Sequence, residues 1–272
     1  MKIAILDLYD GEANEGMRCI RQLVDQFKDQ MSLPVSAEVF DVRQHLEIPD
    51  TSFDVYISSG GPGNPLASIG SAWEANYFEL MDAILKHNRE NPQHPKFVFL
   101  ICHSIQIFCR HYGYAKVSKR KSTSFGVMPV HKTKAGKREL LFEELSDPFY
   151  AVDSRDYQIL EPNEAKIIAG GGQVLCIEKE RPLIPFDRAV MAIRFNEEVI
   201  GTQFHPEVDS EGMHLYLLRE DKKNLVVGRY GTRKYESMLQ MLNEADKIKR
   251  TQQVILPGFL HEAARVYSKL EV

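Results

Sequence analysis

Apolar and β-branched residues fall into short runs through the first hundred positions, and between the runs they recur at every third or fourth residue. The runs Lys2 to Leu8, Val35 to Asp41, Phe53 to Ser58 and Lys96 to Cys102 read as strands buried on both faces. Met17, Ile20, Leu23, Val24, Phe27 and Met31 share one face of a helix between the first two. Trp73, Tyr77, Leu80, Met81 and Ile84 do the same before the fourth, and Ser71 with Glu74 has the spacing of a capping box at the start of that helix. Strands alternating with helices predict an α/β fold around a mostly parallel central sheet.

From about Thr123 the texture changes. Phe125 to Val130, Phe149 to Asp153, Gln173 to Glu178 and Ala189 to Phe195 are short strand-like segments, which predicts an antiparallel addition to the parallel core. Gly170-Gly171-Gly172 reads as a hairpin turn, because no helix start follows it as a phosphate loop requires. Val199 to Phe204 then forms a last strand. Beyond Ser210 the chain turns helical. One stripe runs through Tyr235, Met238, Leu239, Leu242, Ala245 and Ile248, and a second through Phe259, Leu260, Ala263, Val266 and Leu270 after a break at Pro257-Gly258. The expected division is a domain over 1–210 and a helical C-terminal extension over 211–272, packed on or beside it.

Composition narrows the classes. The 272 residues carry a net charge of -4, which gives no electrostatic reason for a nucleic-acid partner. Ile3 to Leu6 is cut short by Asp7, and nothing approaches the roughly 20 apolar residues of a membrane span, so the chain reads as cytoplasmic, with no membrane association. Four scattered cysteines, Cys19, Cys102, Cys109 and Cys176, read as reduced thiols rather than a disulfide framework. The basic stretch Lys116 to Lys121, with Lys132, Lys134, Lys137 and Arg138 after it, reads as a solvated loop region.

One cysteine stands apart. Cys102 lies between the fourth strand and the helical run His103 to Tyr112, where a chain turning sharply from strand to helix exposes a nucleophile. A helix N-terminus and a nearby imidazolium both favour a thiolate, the form that attacks carbonyls. His205 and Glu207 follow the last strand in Gly201-Thr-Gln-Phe-His-Pro-Glu-Val208. Their spacing of two puts both side chains on one face of an extended segment, so His205 can move protons while Glu207 orients its ring. Cys109 reads as core packing. Cys102, His103, Cys109 and His111 lack the paired C-x-x-C of a zinc site, and no metal or other cofactor is expected.

Ser59-Gly60-Gly61-Pro62-Gly63, Cys102-His-Ser-Ile-Gln106 and His205-Pro206-Glu207 each follow a predicted strand, and in that order they resemble the class I glutamine amidotransferase domain over about residues 1 to 210. The resemblance implies a three-layer α/β/α flavodoxin-like fold. It implies a guanylate-synthase-type glutaminase in which Cys102 attacks the side-chain amide of glutamine, ammonia leaves, and water hydrolyses a glutamyl thioester. Gly60, Gly61 and the amide of His103 would form the oxyanion hole, and Gln106, Ser154 and Arg155 would bind substrate. Two positions depart from the family. Leu100 and Ser104 stand where glycines are usual, two residues before and two after the nucleophile. Asp153-Ser154-Arg155-Asp156 stands where many relatives carry Ser-His.

Members of that family pass ammonia to a synthase, and no synthase ATP loop is present in this sequence. The chain therefore reads as a glutaminase subunit with a separate synthase partner, its helical tail serving docking or self-association. The alternative is a free-standing γ-glutamyl hydrolase. Adjacent Cys102-His103 is also similar to the protease and deglycase relatives of the fold, and the histidine beside the Cys102 sulfur separates those readings. A regulatory protein on a decayed scaffold is the reading from a different class, with Leu100 as its support.

Overall fold

The computed structural model describes residues 1–12, 14–181, 187–244 and 247–268. Among them a nine-stranded sheet runs in the order β2-β1-β3-β4-β9-β8-β6-β5-β7. Strands β1 (Lys2–Asp7), β2 (Ser36–Asp41), β3 (Val55–Ser58), β4 (Phe97–Ile101) and β9 (Val199–Thr202) are parallel. Strands β5 (Lys116–Lys132), β6 (Phe149–Leu160), β7 (Gln173–Glu178) and β8 (Val190–Arg194) continue the sheet in antiparallel pairings, with β8 joining β9.

The alternation of side chains along each strand builds the layers. Ile3 and Ile5 of β1 and Phe97 and Phe99 of β4 enter one core with helix α1 (Glu15–Gln30) and helix α8 (Lys249–Ser268). Ala4, Leu6, Val98 and Leu100, one residue out of phase, enter the opposite core with α2 (Ala72–Glu90) and α3 (His103–His111). This is the expected three-layer arrangement. Helices α5 (Ser210–Leu218), α6 (Glu220–Tyr230) and α7 (Thr232–Asn243) form a third cluster over Val127 of β5 and Val152 of β6. The remaining helix, α4 (Glu164–Ala169), leads into β7. None of the described helices is long and apolar enough to cross a membrane.

Four local expectations change. Ser71 is the N-cap of α2 without a side-chain cap bond, because its hydroxyl donates to the Ser68 carbonyl and Glu74 is taken by Arg110 at 2.5 Å. Gly170 to Gly172 turn a helix into a strand rather than closing a hairpin: Gly170 caps α4 and Gly171 has φ +83. Lys116 to Lys121 is the beginning of β5, with Val117 buried and Arg120 turned inward onto Glu178 at 2.9 Å. Helix α8 runs through Pro257, since Ile255, Leu256, Phe259 and Leu260 on either side are buried in the core and hold it together. Ala245 and Leu270 of the two tail stripes lie outside the described residues.

Candidate active site

The site is assembled at the C-terminal ends of the parallel strands, where open α/β sheets bind ligands. Cys102 follows β4 directly and has φ 48 and ψ -97, a conformation that L side chains rarely adopt and that costs about 1–3 kcal/mol. Its own amide is held by the Thr202 carbonyl of β9 at 2.7 Å. With the turn fixed from the neighbouring strand, the sulfur faces a cavity of about 440 Å³.

His205 is positioned from two sides. Its amide donates to the Val152 carbonyl of β6 at 2.8 Å, and Nδ1 meets Glu207 Oε1 at 2.8 Å. The remaining ring nitrogen is left for Cys102, which flanks the same Gly60 turn as the imidazole and favours its charged form. Burial works against an imidazolium here. Glu207 and the Cys102 sulfur outweigh it and hold the His205 pKa well above its ordinary value. Glu207 is fully buried.

His103 takes a different direction. Its ring lies 6.4 Å from that of Trp73, Nε2 is buried without a hydrogen-bond partner, and burial, with Arg43 and Arg110 nearby, pushes its pKa down to about 3. The histidine beside the sulfur is therefore His205. His103 contributes its backbone instead: as the first residue of α3, its amide has no carbonyl one turn back to bond within the helix.

Gly60 and Gly61 have no room for side chains. A Cβ on Gly60 would lie 2.8 Å from His205 Cε1, and one on Gly61 would lie 2.4 Å from the Leu8 carbonyl oxygen. The loop thus brings main chain, rather than side chain, against the imidazole and the sulfur. The unusual Leu100 fits because its sheet neighbours in register are Ser58 and Gly201. A Cβ on Gly201 would meet Ile105 of α3 at 2.8 Å. The close approach of helix to sheet is supplied by a glycine on the adjacent strand.

Gln106 is buried, lines the cavity, and donates to the Tyr157 carbonyl at 3.3 Å. The Ser154 carbonyl lies 3.8 Å from Cys102 Sγ. Arg155 lines the cavity too, but its Nε lies 2.8 Å from Asp153 and its Nη2 lies 3.5 Å from Glu178. A substrate carboxylate would find that guanidinium already paired. Sequence reasoning gave no place at the site to Tyr9, Phe125 or helix α6, which line the cavity. Tyr9 lies just past β1, and its hydroxyl would sit 3.1 Å from a Cβ on Gly60; burial first, and the neighbouring Glu207 and Cys102, keep its phenol protonated. A lone tyrosine past a strand gives no signal of this in the sequence.

The family described as glutamine amidotransferase class-I matches residues 20–224. The chain belongs to the class-I glutamine amidotransferase family. A glutamine amidotransferase from Thermotoga maritima is 18% identical, with 97% of each chain covered and a TM-score of 0.64. The protein SMU.1228c is 20% identical over 97% of this chain and 100% of its own, with a TM-score of 0.63. The glutaminase domain of Trypanosoma brucei CTPS, solved with bound acivicin, is 14% identical over 97% and 94%, with a TM-score of 0.54. At these identities the likeness to the class-I amidotransferases is one of fold. A comparison with curated proteins found no match.

Proposed function

We propose that the chain hydrolyses the side-chain amide of glutamine, or of a γ-glutamyl compound, through a thioester on Cys102. The observation that carries this reading is the His205 imidazole, set beside Cys102 at the Gly60 turn and bonded to Glu207 at 2.8 Å on its other side. The Cys102 sulfur attacks the amide carbonyl. The oxyanion that forms accepts hydrogen bonds from the amide of His103 and from the main chain at Gly60 and Gly61. His205, kept protonated by Glu207, gives its proton to the leaving nitrogen, so the amine departs neutral. The imidazole then takes a proton from water, which attacks the thioester, releases glutamate and returns the thiol. Gln106 lies four residues beyond the nucleophile on the first turn of α3 and holds the glutamyl part in place.

In the first form of this reading the ammonia goes to a separate synthase, and the protein works in the cytoplasm as its glutaminase partner. The second form is a free-standing γ-glutamyl hydrolase, favoured by a cavity of about 440 Å³ that extends past the sulfur to helix α6. The test is ammonia release from glutamine by the purified chain beside a Cys102→Ala control. Turnover that the control abolishes supports the mechanism. A folded chain that releases no amine from any γ-glutamyl amide overturns it.

A further inference from the structure

The walls of the Cys102 cavity differ in chemistry. Toward the N-terminus of α1 the lining is polar, with Glu12, Asn14 and Glu15. Another wall is made by Phe125 and the helices that follow the sheet, Tyr216 on α5 and Leu225, Val226 and Tyr230 on α6, with Lys222 and Arg229 of α6 beside them. A glutamate moiety carries an amino and a carboxylate group that need charged or polar partners, which Glu12, Asn14, Glu15 and Lys222 offer, so the aromatic and aliphatic surface is left for what is attached to the amide nitrogen.

That surface is a built wall. Phe125 and Tyr230 stack with ring centroids 5.9 Å apart and planes within 10°. Val226 is buried against the third cluster, which includes Val127 and Val152. Arg229, on the same helix, reaches over the rim to Thr123 at 2.5 Å and Asp156 at 3.3 Å, tying α6 to β5 and β6. One apolar side chain in this fixed frame is uncovered: Leu225 lines the cavity and is 59% exposed. A large apolar side chain left wet at the mouth of an aromatic cavity gains free energy when an apolar ligand covers it.

We infer that the site takes γ-glutamyl amides of apolar, ring-bearing amines in preference to glutamine itself, with helix α6 and Phe125 reading the amine. This rests on the proposed Cys102 chemistry and specifies its substrate class. In the acylation step the carbon–nitrogen bond of such an amide breaks, the glutamyl carbonyl joins the Cys102 sulfur, and the amine leaves with the proton from His205. Water then cleaves the thioester to give glutamate.

The test compares kcat/KM for γ-glutamylbenzylamide, γ-glutamylmethylamide and glutamine on the full chain. The first two are alkyl amides of similar intrinsic reactivity, so their ratio reports the ring alone. Burying a ring against the α6 wall raises kcat/KM for the benzylamide about tenfold to a hundredfold over the methylamide. In Leu225→Ser and Tyr230→Ala that ratio falls toward one. Equal values for the two alkyl amides, with Cys102-dependent turnover intact, overturn the inference and leave the site chemistry standing. Absence of turnover on all three amides overturns both.

Discussion

Ser104 Oγ donates to the Ser59 carbonyl at 2.6 Å, which ties the first turn of the nucleophile's helix to the loop that carries Gly60 and Gly61. The bond closes a buried chain of hydroxyls. Tyr77 donates to Ser58 at 3.1 Å, and Ser58 and Ser104 are 2.7 Å apart, so each hydroxyl has a place for its one proton. A glycine at 104 would make no such tie.

Removing the tie should loosen the loop while leaving the sulfur in place. Ser104→Ala leaves the Ser59 carbonyl without its donor and the Ser58 proton without its acceptor, while Tyr77 still donates to Ser58, a loss of about 1–3 kcal/mol in stability. We expect kcat on glutamine to fall about tenfold with little change in KM, since the main-chain donors matter most when the oxyanion forms. Denaturant midpoints and steady-state kinetics on the same variant measure both effects.

The ring of His205 titrates high because a buried carboxylate faces it. Glu207→Gln removes that charge and lowers the imidazolium pKa. A raised histidine pKa contributes stability fully present below the ordinary value of 6.5 and lost as pH rises through the folded one. Activity should follow the same direction, because the leaving amine needs the proton. The alkaline limb of the kcat/KM profile is therefore expected at lower pH in the variant than in the parent chain.

His103 has the opposite sign. It stays neutral in the folded protein down to about pH 3, whereas an unfolded chain takes up a proton near 6.5. Stability is thus present above 6.5 and declines as pH falls below it, by about 2 kcal/mol between pH 6.5 and 5 for this residue alone. His103→Gln should lose less stability on going from pH 7 to pH 5 than the parent, as urea midpoints at the two values will register.

Thiol labelling should single out one cysteine. Cys19, Cys109 and Cys176 are buried and their thiols are pushed up by burial, Cys19 to about 12. Cys102 faces the cavity. A small alkylating reagent at neutral pH is expected to modify one equivalent quickly, and Cys102→Ser should abolish that phase with the slow remainder unchanged.

The central parallel strands and the meeting of Cys102 with His205 were legible because each sits at the end of an apolar run, and runs are local. What escaped was set by tertiary neighbours. Ser71 and Glu74 have capping-box spacing, yet Arg110 on another helix claims Glu74. Lys116 to Lys121 looked solvated until Arg120 found Glu178 on β7. Leu100 looked out of place at an elbow until Gly201, a hundred positions away, came alongside it. The α6 wall offered only scattered apolar residues, whose meaning depends on Phe125 lying opposite.

Helix α8 has one more consequence. It covers the face of the sheet on which Phe97 and Phe99 lie, in the strand that delivers Cys102. A ribosome makes that strand early and residues 249–268 late. Until they emerge, Phe97 and Phe99 lack the part of their cover that Phe259 supplies. The packing around the nucleophile's strand is thus completed by the last helix to be made.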